Sequence, residues 1–599
     1  MPESRITYAR LSTRLRQLLR NDHMVLSVLA LLVGVIVGMA VVGFREAIDL
    51  FQGLFYGTDN PYGADSEHLA PIAAGLPGWR VVLATTLGGL AAGILIYRLM
   101  PERRPQGVAD VIEANALLGG RMSSRIGVST ALVNALSIGA GASVGREGPA
   151  VHLGASLSGW IGRRLHLSRS LTRTLLGCGV AAAVAGSFNA PIAGALFANE
   201  VVIGHYALKA FAPIVIASVA GTAVSRAWFG NFPAFSIDIG IVASLWEMPA
   251  FALLGIVSGV AAIVFMKSVG LFTKIAASIP VPSWLKPAIA GLILGCTAIY
   301  LPDILGVGYA ATESAMLVKF SLWMLIIIGV AKILATALCL GFGFGGGVFS
   351  PSLVIGAMVG CAFGVVATGA FPDLASQVSV YTVIGMGAVA AAVLGAPIST
   401  TLIIFEMTSN YALTLGVMIA VVIASEITHH FHGRSFFSVQ LLERGIDVKG
   451  GFEAEVMRSI PLDKVLKDDG LTVTPATGLR ELRDRLQQTP YGELFVVGES
   501  GRLIGTITLA DLSEVAFDPA MDDLINAGDV ARLHPPFLTR ADNLDAALNL
   551  MAETGEEHIA VVDTGVMQIY QGCIHQRDVM TAYSRALVLA RHEERGETP

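Results

Sequence analysis

Residues 139–155 read GAGASVGREGPAVHLGA, a run of small residues between two long apolar stretches with Arg146 and Glu147 set among glycines at its centre. Glycines permit backbone turns that other residues resist. At membrane depth such non-helical backbone is tolerated only where its freed N–H and C=O groups are buried in protein or face water. The stretch has a second copy. Laid without a gap on ALCLGFGFGGGVFSPSLVIGA from Ala337, ALSIGAGASVGREGPAVHLGA from Ala135 shares Ala135/Ala337, Leu136/Leu338, Gly139/Gly341, Gly141/Gly343, Gly145/Gly347, Pro149/Pro351, Gly154/Gly356 and Ala155/Ala357. Further on, APIAGALFANE (190–200) answers APISTTLIIFE (396–406), with Pro and Glu at a common spacing. The membrane part is therefore a duplication, with repeat cores near 135–200 and 337–406.

The rest of the chain sets the context. Of 599 residues, 54% are hydrophobic and 14% charged, and the mean hydropathy is +0.66, which excludes an ordinary soluble domain. Stretches such as 24–44, 80–100, 323–340 and 354–368 are apolar enough to cross a bilayer core of about 30 Å, some of them tilted or broken, and ten or more spans are expected. Arg5, Arg10, Arg14, Arg16 and Arg20 precede the first span and Asp49, Asp59, Asp65 and Glu67 follow it, which places the N-terminus in the cytoplasm. The first span lacks a cleavage site and is read as retained. The five cysteines are scattered, so neither a disulfide framework nor a metal site is expected. A net charge of -6 argues against a nucleic-acid partner.

Duplicated transporters place their binding sites where Gly/Pro-interrupted segments of the two halves meet. Pro149 and Pro351 suit the first turn of a restarting helix. Free N–H groups at two such helix starts, each end carrying about +0.5 charge, make an anion site without a formal cation. An intramembrane acid is functional by default, and the competing reading pairs Glu147 with Arg146 in a wet loop. Beyond Glu443 the composition turns amphipathic, and a second tandem repeat reads strand, helix, strand, strand, helix in each copy.

With GREGP and FNAPIAG in the first half and GGVFSP and LGAPIST…FEMT in the second, the chain resembles the CLC family of chloride channels and chloride/proton antiporters, over about residues 24–445. The tail from about Val456 to Ala586 resembles a pair of CBS domains. The resemblance implies a polytopic α-helical membrane protein of two inverted repeats with broken helices, followed by a soluble α+β tandem. The divisions expected are a cytoplasmic segment 1–23, a transport domain 24–445, a linker 446–455, CBS domains at 456–515 and 525–586, and a tail 587–599.

By resemblance Glu147 is the gate, a carboxylate that competes with anions for their site and leaves it when protonated. Gly148, Val348 and Phe349 match the family's backbone anion-binding positions, against a reading of Val348 and Phe349 as helix-start packing. Arg146 either braces the loop or raises the local potential, with a structural ion pair as the rival role. His152 reads as a packed, neutral histidine.

Three positions depart from the family pattern. Gln106, in PQGVA, stands where a serine coordinates the central anion, and its carboxamide can still donate. Phe437, with Phe436 as the other candidate, stands where a pore tyrosine is usual. Val201 stands where antiporters carry an inner glutamate. Neighbouring Glu200, with its repeat mate Glu406, is read as structural or capping. A channel or weakly coupled transporter is therefore favoured over an antiporter.

The partners implied are chloride or another small anion, protons, the lipid membrane and a second copy of the chain. No cofactor is required by the membrane part. An adenine nucleotide at the CBS pair would meet Thr508 and Asp511 in GTITLAD and Asp578 in GCIHQRD, where His575 replaces the hydroxyl. The same aspartates read equally as helix caps. GFGFGG (341–346) contains a dinucleotide-type spacing but lies in an apolar span. Nothing supports an enzyme. The rival functions are a CBS-regulated divalent-cation carrier, which would want several convergent acids, and a membrane sensor without transport.

Overall fold

The computed structural model describes residues 22–57, 69–204, 208–230, 244–446, 457, 460–468, 470–489, 492–513, 519–564 and 566–595. Arg5 to Arg20, Asp59, Asp65, Glu67 and most of the expected linker 446–455 lie outside them. The chain divides into two compact units, 1–447 and 448–599.

The first unit is all helix. Its first half runs α1 (Asp22–Tyr56), α2 (Gly78–Leu99), α3 (Val108–Ala116), α4 (Ser124–Gly139), α5 (Glu147–Arg164), α6 (Arg169–Phe188), α7 (Pro191–Phe197) and α8 (Leu208–Phe229). The second half runs α9 (Met248–Ser278), α10 (Lys286–Ala298), α11 (Tyr309–Met316), α12 (Leu322–Gly341), α13 (Phe349–Ala370), α14 (Val378–Leu394), α15 (Pro397–Thr408) and α16 (Tyr411–His432), and α17 (Phe436–Glu443) closes the unit. With the short helix Leu69–Ala74 between α1 and α2 set aside, α1 to α8 match α9 to α16 in order, so the duplication extends beyond the two cores visible in the sequence. Among the described residues eight helices are long and apolar enough to cross a membrane, and three shorter apolar helices accompany them. The shorter three are the broken crossings that the sequence allows for.

Small residues explain how the central helices approach. A Cβ on Gly154 of α5 would lie 2.4 Å from the Gly179 carbonyl of α6, and one on Gly356 of α13 would lie 2.3 Å from the Gly385 carbonyl of α14. Where lipid supplies no hydrophobic drive between helices, such close crossings supply packing. α14 consequently has nearly every residue buried, although its sequence is apolar on all sides.

The second unit contains two small sheets, β1 (Thr472–Val473), β2 (Glu493–Val497), β3 (Leu503–Thr508) and β4 (Arg532–Leu533) in that order, and β5 (Phe537–Thr539), β6 (His558–Val562) and β7 (Tyr570–His575). Each opens with a parallel pair followed by an antiparallel one. α18 (Leu479–Gln488) and α19 (Leu544–Thr554) cross over between the parallel strands, and α20 (Gln576–Arg595) follows β7. After β3 the described residues form turns, where the sequence pattern suggests a helix. The copies face one another through Phe495, Leu503, Ala560, Val562 and Cys573.

Candidate functional site

The two chain breaks meet directly. Gly145 N donates to Gly347 O at 2.7 Å and Gly347 N donates to Gly145 O at 2.8 Å. This single rung of antiparallel pairing satisfies four backbone groups that the breaks would leave orphaned. Glycine suits the approach: a Cβ on Gly148 would lie 3.2 Å from Gly347 Cα, and one on Gly347 would lie 3.1 Å from Gly148 N, both tighter than ordinary van der Waals contact. α5 starts at Glu147 and α13 at Phe349, with Arg146 and Val348 in the same capping position of each.

Glu147, only 2% exposed, turns its carboxylate onto the start of α13. Oε2 accepts from Ser350 N at 3.3 Å, while Oε1 accepts from Ser350 Oγ at 2.5 Å and from the Tyr309 hydroxyl at 3.2 Å. Pro351 in the next position has no N–H, so the donors at this helix start are few and the carboxylate takes one of them. Arg146 Nε stays 3.9 Å from Oε1, and its guanidinium sits 5.0 Å from the centre of the Tyr309 ring. The rival wet-loop pairing does not describe this geometry, because the glutamate is buried and held chiefly by the other half. Phe349 is buried against Phe188, ring centres 4.8 Å apart.

The loop leading into α3 meets α5 at His152. His152, fully buried on α5, has Nε2 3.0 Å from Gln106 Oε1. The histidine is therefore packed, as its apolar helix suggests, but it also has a polar partner. Gly107 N donates to Asp110 Oδ2 at 2.7 Å, and Asp110 Oδ1 receives Arg104 at 2.7 Å and Arg444 at 3.0 Å. Arg103, Arg104, Pro105 and Lys286 line a cavity of about 230 Å³ next to Gln106. Arg104 in this wall is paired with Glu102 and Asp110, and the Arg103 guanidinium lies over the Tyr97 ring. Phe437 is buried edge-on against Phe436, ring centres 5.9 Å apart, on α17, which packs against α3 and α14.

Glu200 and Glu406 form a reciprocal clamp. Glu200 accepts from Ile398 N (3.0 Å) and Ser399 N (2.8 Å) at the start of α15, and Glu406 accepts from Ile192 N (3.0 Å) and Ala193 N (2.8 Å) at the start of α7. Val201 lies beside Glu200 in the wide helical turn Ala198–Ile203.

Three residues of the site escaped the sequence reading. Ser350 carries a helix-start signal, a serine just inside GGVFSP. Tyr309 follows Gly308 as Val108 follows Gly107, a repeat register too degraded to align. The third, Lys332, gives only the signal of a lone cation in an apolar span.

In the second unit Thr508 and Asp511 come together: Asp511 Oδ2 accepts from Thr508 N and Oγ1, both at 2.7 Å, and from Arg532 Nε at 3.2 Å. Arg532 also reaches Glu556 of the second copy at 2.6 Å. Asp578 stands in the first turn of α20 with Lys467 Nζ 3.7 Å away, and His575 is buried against His558. Burial, reinforced by Glu556, pushes the Glu493 carboxyl up to about 7.

The voltage-gated chloride channel family model matches residues 88–429, which contain both breaks and Glu147. The chain belongs to the CLC family. CBS domain models match residues 454–518 and 527–585. A ClcB-like chloride channel protein of Ralstonia nicotianae is 32% identical over 421 residues, 69% of this chain and 96% of that protein. The ClcB chloride channel of Escherichia coli O17:K52:H18 is 30% identical over 413 residues, 68% of this chain and 97% of its own. A slow cyanobacterial Cl-/H+ antiporter structure superposes with a TM-score of 0.63 at 26% identity, covering 70% of this chain and 97% of that one. A eukaryotic CLC transporter of the same fold covers 92% of this chain and 97% of its own, with a TM-score of 0.60 at 19% identity. This CLC chain is thus a multi-pass membrane protein of two inverted repeats with a C-terminal CBS pair.

Proposed function

We propose that this CLC protein carries chloride or a similar small anion across the cytoplasmic membrane, with Glu147 as a protonatable plug. The observation that carries the reading is the Glu147 carboxylate seated on Ser350 N and Oγ at the start of α13, beside the Gly145–Gly347 rung. A group that accepts a carboxylate through N–H and O–H donors accepts a halide by the same chemistry. Protonation removes the charge that holds the plug, so anion passage rises as pH falls. Gly148, Val348 and Phe349 supply the surrounding backbone, Arg146 the local positive potential, and Gln106 and Phe437 the inner lip, which the cationic cavity feeds.

Weak proton coupling is part of the proposal. Val201 cannot relay a proton, and the carboxylate of Glu200 is engaged as a helix cap. A channel or weakly coupled transporter is therefore favoured. The antiporter reading has its own support in the likeness to a slow Cl-/H+ antiporter. The assembly is read as a homodimer with the N-terminus and CBS pair in the cytoplasm. In the CBS pair, Thr508 and Asp511 are the residues that would meet a ribose, with Arg532 beside them on Asp511 Oδ2, and Asp578 is their counterpart in the second copy.

The test is flux from liposomes containing the full-length protein, with chloride, nitrate, fluoride and bicarbonate compared and a pH electrode present. Anion efflux without uphill proton movement supports the reading. Strong proton pumping by an imposed chloride gradient would overturn the coupling claim, and divalent-cation uptake without anion flux would overturn the function.

A further inference from the structure

Lys332 is fully buried on α12, in the membrane unit. Among the described residues it makes no ion pair. Its Nζ donates instead to two carbonyls, Ile304 O at 3.0 Å and Gly306 O at 2.8 Å. The Asp303 carboxylate, one residue before Ile304, acts on the amine electrostatically from beyond ion-pair reach, so direct contact falls to the two carbonyls. A lysine head withdrawn from water is expensive, and inside a membrane domain such a residue marks a task that an apolar side chain cannot perform.

The two carbonyls belong to the turn that enters α11. The turn is built on left-handed glycines, Gly306 (φ +59°) and Gly308 (φ +94°). Gly306 N donates to Gly141 O at 3.0 Å, tying the turn to the first chain break. Gly308 has no room for a side chain: a Cβ there would lie 2.8 Å from Val354 Cγ2 and 3.2 Å from Lys332 Nζ. The next residue is Tyr309, the donor to Glu147. The turn is the counterpart, in the second half, of the Gln106–Gly107 loop that enters α3.

We propose that Lys332 is a positioning residue for the gate. It grips the 304–308 turn and so holds the Tyr309 hydroxyl as a latch on the Glu147 carboxylate, without touching the carboxylate itself. The inference rests on reading Glu147 as the plug.

The test uses full-length protein in liposomes, with chloride efflux followed from pH 4.5 to 8.5. Tyr309→Phe removes one donor to a charged acceptor and is expected to raise efflux at pH 7.5 about tenfold. Lys332→Met is expected to give a similar rise, and the double variant no more than Tyr309→Phe alone, because both act on one hydrogen bond. Where Lys332→Met does not purify as a folded protein, Gly308→Ala, whose added Cβ crowds Val354 and the Lys332 amine at a left-handed position, displaces the same turn and carries the same comparison. An unchanged profile for these variants, or a Lys332→Met effect that persists undiminished in the Tyr309→Phe background, would overturn the latch. Glu147→Gln run in parallel separates the two failures. If that variant keeps its pH dependence, the plug reading falls; if it becomes pH-independent while the turn variants match the parent, only the latch falls.

Discussion

Ser350→Ala is the sharpest single test of the plug. Glu147 is held at the start of α13 by Ser350 twice, through the backbone N–H at 3.3 Å and the hydroxyl at 2.5 Å, and by Tyr309 at 3.2 Å. The alanine keeps the backbone donor and the helix and removes the shortest bond. A hydrogen bond to a charged group contributes about 2 kcal/mol, or roughly thirtyfold in an equilibrium. The hydroxyl can also donate to an anion once the plug has left, at a cost closer to 1 kcal/mol when lost, because a halide spreads its charge over a larger surface. Chloride competing with the carboxylate should therefore bind about fivefold more tightly to Ser350→Ala at pH 7.5. In a Glu147→Gln background, where no charged plug competes, the same substitution should weaken chloride binding about fivefold. Isothermal titration of the purified protein with chloride measures both. A weakening of equal size in the two backgrounds would refute the plug, since Ser350 would then serve the anion alone.

Glu147→Gln should leave anion flux intact and abolish its dependence on pH, read in the liposome assay. Glu200→Ala and Glu406→Ala should each cost about 1–2 kcal/mol by uncapping α15 and α7, lowering the unfolding temperature by a few degrees while the pH profile of flux stays that of the parent. In the second unit, Glu493 has its carboxyl raised from the ordinary 4.5 to about 7, so the folded state binds the extra proton. Stability from this group is complete below pH 4.5 and is lost as pH rises towards 7, a span of about 3 kcal/mol, since each tenfold gain in proton affinity is worth about 1.4 kcal/mol. The protection factors of the β2 amides in the full-length protein, with the intrinsic rise of exchange with pH divided out, should fall over that window and stay level in Glu493→Gln.

How much of this was legible in the residues follows from what each signal depends on. The duplication was readable because these glycine positions are crowded: a Cβ on Gly154 or Gly356 would strike backbone, and one on Gly145 or Gly347 would press on the facing chain break, so both copies carry glycine. The clamp of Glu200 and Glu406 was readable for the same reason, since two acids at one spacing in two related halves point to one shared task. Tyr309 and Lys332 gave no such signal. Their roles depend on which turn lies across from which helix, and a hydroxyl or an amine in an apolar run has no periodicity that reveals its partner. The meeting of the breaks at Gly145 and Gly347 supplies what the pattern alone lacks. Once those two glycines exchange hydrogen bonds, the acid at the start of one half's helix faces the donors of the other's. A carboxylate at position 147 then stabilises a helix end that, without it, presents its N–H groups to whatever anion arrives. In the function proposed here the gate and the binding site are two occupancies of a single set of donors, and any residue that holds one alters the other.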